Sequence, residues 1–160
     1  MPLPSLNFST LNNAVAGIRK ARIGDVPAIY RIEVQSFKDP YSPLLLMNLL
    51  ALYPYGVFVA ESEWGVVGYM IIRIIAQKGH IIALAVDKRH RNNSIGTQML
   101  NKAVEVFKER GVDGAWLEVR ASNLHAQRFY LGRGFMRIIQ VEEYYGDGED
   151  AEILYMPLLS

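Results

Sequence analysis

Along this chain the apolar positions switch between a two-residue period and a three-to-four-residue period, and each switch marks a new element. From Ile18 to Ile23 apolar and basic residues alternate, which predicts a short first strand. Gly24-Asp25, with Pro27 in the next turn, reads as a helix start. Val26, Ile29, Ile32 and Phe37, flanked by Tyr30 and Val34, keep helical spacing to about Phe37. Lys38-Asp39-Pro40-Tyr41-Ser42-Pro43 then breaks the helix, because each proline disfavours helix in the residue before it. A second helix is expected from Leu44 to Leu52. Val57 to Ser62 and Val66 to Ala76 read as strands joined by Glu63-Trp64-Gly65, with a third strand, His80 to Val86, after a turn at Gln77-Lys78-Gly79. These three form an antiparallel meander. A helix from Ile95 to Arg110, a strand from Ala115 to Val119, a helix from Leu124 to Gly132, and strands near Phe135 to Glu143 and Ala151 to Leu158 complete the pattern.

Helices interleaved with strands, together with runs of adjacent strands, predict an α/β, three-layer architecture whose mixed sheet is covered on both faces. At 160 residues the chain fits one domain. Residues 17–160 are expected to form it, behind a loosely ordered arm over residues 1–16. Hydrophobic residues make up 51% and charged residues 21%, which suits a folded globular chain.

The net charge of +1 gives no global field toward nucleic acid or an anionic membrane, so any anion site must be local. The absence of cysteine removes disulfides, thiolate nucleophiles and Cys-type zinc sites, and fits a reducing cytosol. The longest apolar run, Leu44 to Tyr53 with Asn48 inside it, is far short of the roughly 20 residues a membrane span needs. The start, MPLPSLNFSTLNNA, lacks the layout of a signal peptide. A cytoplasmic protein is the expectation. His80, His90 and His125 have no ligand spacing, so no metal is expected.

Local chemistry concentrates after the third strand, where Lys88-Arg89-His90-Arg91 leads through Asn92-Asn93-Ser94 into a helix beginning near Ile95. A helix N-terminus offers unpaired N–H groups and a partial positive charge, which suits an anion. The same residues also read as a solvated polar turn. The spacing Arg91-x-x-Ser94-x-Gly96 resembles the R/Q-x-x-G-x-G/A acetyl-CoA motif of the GNAT N-acetyltransferases, with Ser94 in place of the first glycine. GHIIALAVDKRHR, WLEVRASNLHAQRFYLGRGF and EEYYGDGEDA resemble segments of protein N-alpha-acetyltransferases, both the bacterial ribosomal-protein alanine type and the archaeal and eukaryotic A-type catalytic subunit. The likeness runs from about Ile18 onward.

This resemblance implies a GNAT fold, with a splayed sheet of about seven strands, and acetyl transfer from acetyl-CoA to the α-amino group of protein N-termini by direct attack. It implies phosphate contacts from Arg91, Asn92, Asn93, Ser94, Ile95, Gly96 and Thr97, and pantetheine and thioester contacts from the backbones of Leu84, Ala85 and Val86. Asn123 is implied as a pantetheine contact, while its residue type and place also read as a helix N-cap. Glu118, a carboxylate in the otherwise apolar strand WLEV, matches a family base, with a solvated strand-edge carboxylate as the alternative. His80 matches the base of other relatives, and a purely structural histidine is the alternative. Tyr130 matches the tyrosine whose hydroxyl donates to the CoA sulfur, while a tyrosine on an amphipathic helix also reads as core.

Phe37, Asp39, Pro40 and Tyr41 match the loop that shapes the first-residue pocket, where the Asp39 carboxylate would attract a free α-ammonium group or hydrogen-bond a small polar first residue such as serine. Tyr144-Tyr145 with Gly146-Asp147-Gly148 match a peptide-holding hairpin, and by composition alone read as a turn-rich hairpin. Phe37 and Tyr41 read equally as core residues. Protein N-termini are the implied substrate, with a ribosome or an auxiliary subunit as the implied partner and no direct nucleic-acid contact. Two other functions fit the same residues: acetylation of a small amine or lysine side chain, or a non-catalytic CoA-binding module.

Overall fold

The computed structural model describes residues 17–158, so the expected N-terminal arm lies outside the described residues. The elements run β1 (Gly17–Lys20), α1 (Val26–Ser36), α2 (Pro43–Leu52), β2 (Val57–Ser62), β3 (Gly65–Ile75), β4 (Lys78–Val86), α3 (Ile95–Glu109), β5 (Gly114–Arg120), α4 (Leu124–Leu131), β6 (Met136–Val141) and β7 (Ala151–Pro157). The strands form one seven-stranded sheet in the order β1-β2-β3-β4-β5-β7-β6. It is mixed: β1–β2, β5–β7 and β6–β7 are antiparallel, and β4–β5 is parallel. The α/β expectation and the count of about seven strands both hold. No helix among the described residues is long and apolar enough to cross a membrane.

Two sequence-based boundaries need correction. The first strand ends at Lys20 rather than Ile23, and Ile23–Asp25 forms a single 3-10 turn. Asp25 causes the bend, because its carboxylate accepts from the Arg22 amide at 2.7 Å and from the Arg19 guanidinium at 2.8 and 2.9 Å. The β3–β4 turn lies at Ala76-Gln77, both with positive φ (49° and 64°), so β4 begins at Lys78 instead of His80. Positive φ at both central residues belongs to the tight two-residue turn that matches strand twist. Gly79 is therefore a strand residue whose missing side chain makes room for Phe107: a Cβ there would lie 2.7 Å from the ring. Phe107 is fully buried and cannot withdraw. Gly79→Ala is expected to cost about 1–3 kcal/mol through overpacking, measured by urea unfolding.

Backbone contacts divide the chain into two compact units. Residues through Met70 with Leu84–Leu100 form the first, and Ile71–Ala83 with the chain from Asn101 onward form the second. The first unit buries Val26, Ile29, Ile32, Leu46, Val59, Met70 and Met99. The second buries Ile71, Ile72, Phe107, Ala115, Leu117 and Leu154. In β5 the buried Ala115, Leu117 and Val119 alternate with the less buried Trp116, Glu118 and Arg120, so the latter three share one face.

Two departures from regular pairing occur within the sheet. The parallel β4–β5 ladder consists of two pairs, Gly79 with Ala115 and His80 with Trp116. Leu84, Ala85 and Val86 lie beyond its last pair. At the outer edge, β6 pairs Arg137 with Leu154 and Ile139 with Ile153, so Ile138 is an extra residue and forms a bulge.

Candidate active site

In the first unit, β4 delivers the chain into a short loop that is braced from α1. The Lys88 amide donates to Gln35 Oε1 at 3.1 Å, and the Arg91 guanidinium donates to Ser36 Oγ at 3.3 Å and to the Val86 carbonyl at 3.0 Å. Asp87, fully buried, accepts from the Arg89 amide at 2.9 Å and from its guanidinium at 3.2 Å. Those bonds hold the Asp87 carboxyl at a pKa of about 2, against the penalty of burial. Much of the loop's basic charge is thus committed to shaping it. Asp87 was not singled out from the sequence, although its place between an apolar strand and a basic run is the signal.

Asn92 and Ser94 both take positive φ (66° and 62°). The left-handed region costs a non-glycine residue about 1–2 kcal/mol, so Ser94 occupies the conformation that the motif's glycine adopts freely. The Ser94 carbonyl accepts the first helical bond, from the Gln98 amide at 3.0 Å. The amides of Ile95 and Gly96 therefore open α3 ahead of its first intrahelical bond. Arg91, Asn92 and Ser94 are exposed, Asn93, Gly96 and Thr97 half-buried and Ile95 buried, so the turn presents its backbone at the surface. Such a turn fits the phosphates of CoA: it has amide donors, a helix start and one arginine fixed beside it.

In the second unit, His80 and Glu118 are joined. His80 Nε2 and Glu118 Oε2 are 2.9 Å apart, with both side chains largely buried. His80 Nδ1 accepts from Arg73 Nε at 2.9 Å, and the ring stacks on Trp116 at 3.7 Å with planes 8° apart. Glu118 Oε1 accepts from the Tyr144 hydroxyl at 3.2 Å. The two base candidates are thus one hydrogen-bonded pair, with Arg73 behind it and Tyr144 in front. His80 lies inside a strand, not in a turn.

Tyr130, on α4, is buried against Phe135 and Phe129 with rings at steep angles. Burial raises its hydroxyl well above the ordinary tyrosine value, so it stays a phenol at every working pH. Asn123 caps α4: its Oδ1 accepts from the Ala126 amide at 3.1 Å. That leaves the Nδ2 group as the end suited to a cofactor. The hairpin beyond β6 is fastened by Arg120, whose guanidinium meets Asp147 at 3.0 Å and Glu149 at 3.2 Å and covers the Tyr145 ring at 4.1 Å.

The loop between α1 and α2 belongs to the first unit. Phe37, Asp39 and Pro40 are exposed and Tyr41 is half-buried, so none of the four is core. The loop hangs on Glu33, a buried carboxyl whose Oε1 accepts from the Tyr41 amide at 3.0 Å. Its Oε2 is buried and has no partner among the described residues. Burial pushes its pKa up to about 7, with the Tyr41 amide opposing. Glu33 was missed from the sequence, yet it lies four residues after Ile29 on the apolar stripe, where a carboxylate is out of place.

A turn with amide donors suited to an anion, an oriented carboxylate and a buried phenol are the parts that acyl transfer to an amine requires, and comparison with known proteins gives the same class. A family model described as the acetyltransferase (GNAT) family matches residues 26–135. An uncharacterized N-acetyltransferase of Methanocaldococcus jannaschii is 40% identical over 139 residues, covering 86% of this chain and 88% of its own. The N-alpha-acetyltransferase of Sulfurisphaera tokodaii is 34% identical over 154 residues, covering 88% of this chain and 92% of its own. The crystal structure of Ard1 from Thermoplasma volcanium matches with a TM-score of 0.88 at 26% identity, over 91% of this chain and 99% of that one. The chain belongs to the GNAT acetyltransferase family and is an N-acetyltransferase.

Proposed function

We propose that this enzyme transfers the acetyl group of acetyl-CoA to the α-amino group of protein N-termini. The observation that carries the choice of amine is the Tyr144 hydroxyl on Glu118 Oε1, which joins the hairpin assigned to peptide binding directly to the proton acceptor. A relative named as an N-alpha-acetyltransferase, alike over nearly the whole of both chains, supports the same choice. An α-amine ionises near pH 8 and is partly neutral at working pH, so a carboxylate base suffices, whereas a lysine side chain near 10.4 is far harder to deprotonate.

The amine nitrogen attacks the thioester carbonyl carbon, the new C–N bond forms and the C–S bond breaks. Glu118 accepts the proton the amine loses. Tyr130, held as a phenol, donates a hydrogen bond to the departing sulfur. With no cysteine in the chain, no acetyl-cysteine intermediate forms. The turn from Arg91 to Thr97 is assigned to the CoA phosphates, with Arg91 fixed by Val86 and Ser36 so that little ordering is needed on binding. Leu84, Ala85 and Val86, beyond the last β4–β5 pair, are assigned to the pantetheine and thioester through their backbones, and Asn123 to pantetheine through Nδ2. An N–H aimed at the thioester oxygen is worth about 3 kcal/mol in comparable sites. Phe37, Asp39, Pro40 and Tyr41 are assigned to the first residue of the substrate, which reaches the enzyme on a ribosome or through an auxiliary subunit.

Ser94→Gly removes both the strained φ and the Cβ in the phosphate turn. It is expected to tighten CoA binding about threefold, read by titration calorimetry. The function itself is tested by intact-mass analysis of peptides incubated with acetyl-CoA. Each peptide carries an internal lysine and begins with Ser, Ala, Met or Glu, and each has an N-blocked twin. Mass gain on free peptides alone is the expected result. Gain on the twins' lysines overturns the N-terminal reading in favour of a lysine acetyltransferase.

A further inference from the structure

Arg73 interrupts the apolar run from Met70 to Ile75, and its Nε donates to His80 Nδ1 at 2.9 Å. A guanidinium has donors only, so Nδ1 must offer its lone pair, and the ring's hydrogen lies on Nε2, directed at Glu118 Oε2 2.9 Å away. The ring is 5% exposed and stacked flat on Trp116, which holds this orientation. One ring nitrogen accepts from a cation and the other donates to an anion, so the ring is neutral and its two ends are not interchangeable.

We propose that Arg73 is a positioning residue that fixes His80 as the neutral Nε2–H tautomer, so that Glu118, and not His80, accepts the proton during acetyl transfer. The proposal rests on the acetyl-transfer reading above and deepens it. A second proton on His80 would have to enter at Nδ1, displacing the Arg73 bond and placing an imidazolium against a guanidinium. The charged and titratable groups that meet His80 and Glu118 are Arg73 from β3 and Tyr144 and Tyr145 from the hairpin. When the amine loses its proton, Glu118 becomes a carboxylic acid, His80 retains the hydrogen it had, and Glu118 then returns the proton to solvent. His80 orients the carboxylate and Arg73 orients His80.

The test is the long-range 1H–15N imidazole spectrum of the full chain labelled on histidine, recorded from pH 6 to 8. His80→Gln serves to assign the resonance. Wild-type protein is expected to show the hydrogen of the neutral ring on Nε2 at pH 7. Arg73→Met is expected to convert His80 to the doubly protonated form at the acid end. Its kcat/KM is expected to fall about tenfold at pH 6, with a smaller loss at higher pH and recovery in Arg73→Lys. An Nδ1–H or imidazolium signature in wild type at pH 7 overturns the proposal, and that spectrum is decisive even where Arg73→Met fails to fold. An Arg73→Met spectrum and pH profile identical to wild type also overturn it. If the N-terminal reading alone is wrong, the peptide panel fails while the tautomer signature stands.

Discussion

Replacing Glu118 by glutamine is expected to lower kcat/KM for N-terminal peptides by about 10²- to 10⁴-fold, the range a positioned general base contributes. Size and hydrogen-bonding reach are kept, and the Tyr144 hydroxyl can still donate to the side-chain carbonyl. What disappears is the charge assigned to accept the proton. The amide NH2 would meet the His80 Nε2–H, donor against donor, so the side chain is also pushed from its orientation. CoA affinity is expected to stay at the wild-type value in titration calorimetry, because no contact assigned to the cofactor is removed. A loss below about tenfold would mean that the amine sheds its proton to water, and the assignment of Glu118 would fall with it.

Stability of the wild-type protein is expected to fall by on the order of 2–3 kcal/mol between pH 5 and pH 8 relative to Glu33→Gln. The unfolded carboxyl ionises near its ordinary value of 4.5, whereas burial holds the folded one at about 7. Inside that window the folded state keeps a proton that the unfolded state has released, so stability drops as pH rises and levels off once both are ionised. Glutamine preserves acceptance from the Tyr41 amide but has no proton to lose. Urea unfolding of both proteins at pH 5 and pH 8 measures the difference, and parallel curves would show that Glu33 does not titrate in this window. Because Tyr41 belongs to the loop assigned to the first substrate residue, ionisation of Glu33 charges the anchor of that loop without breaking its bond.

The apolar periods made the element order legible, since each helix and strand buries residues at its own spacing. The turn ahead of α3, proposed for the CoA phosphates, was legible as a turn because its chemistry is local: a basic loop, small polar residues and a helix start follow one another in sequence. Asn123 was legible as a cap for the same reason. The Arg73–His80 bond was hidden by a turn placed too late. With Ala76-Gln77 as the turn, Ile75 faces Lys78 and Arg73 faces His80, whereas a turn at Gln77-Lys78-Gly79 sets Arg73 opposite Ala83. Gly79 drew the turn toward itself, and the reason it is glycine, the ring of Phe107, comes from a helix far along the chain. Glu33 and Asp87 each left a local trace, yet their burial depends on packing that no single element reveals.

The bulge at Ile138 bears on how the protein behaves in concentrated solution. As the outermost strand, β6 exposes Met136, Ile138 and Ile139, each more than half accessible, beside a row of backbone groups that could template another chain. One extra residue breaks the repeat of those groups and bends the strand, so an incoming strand cannot keep register past it. The sheet can thus carry a greasy border without inviting edge-to-edge aggregation.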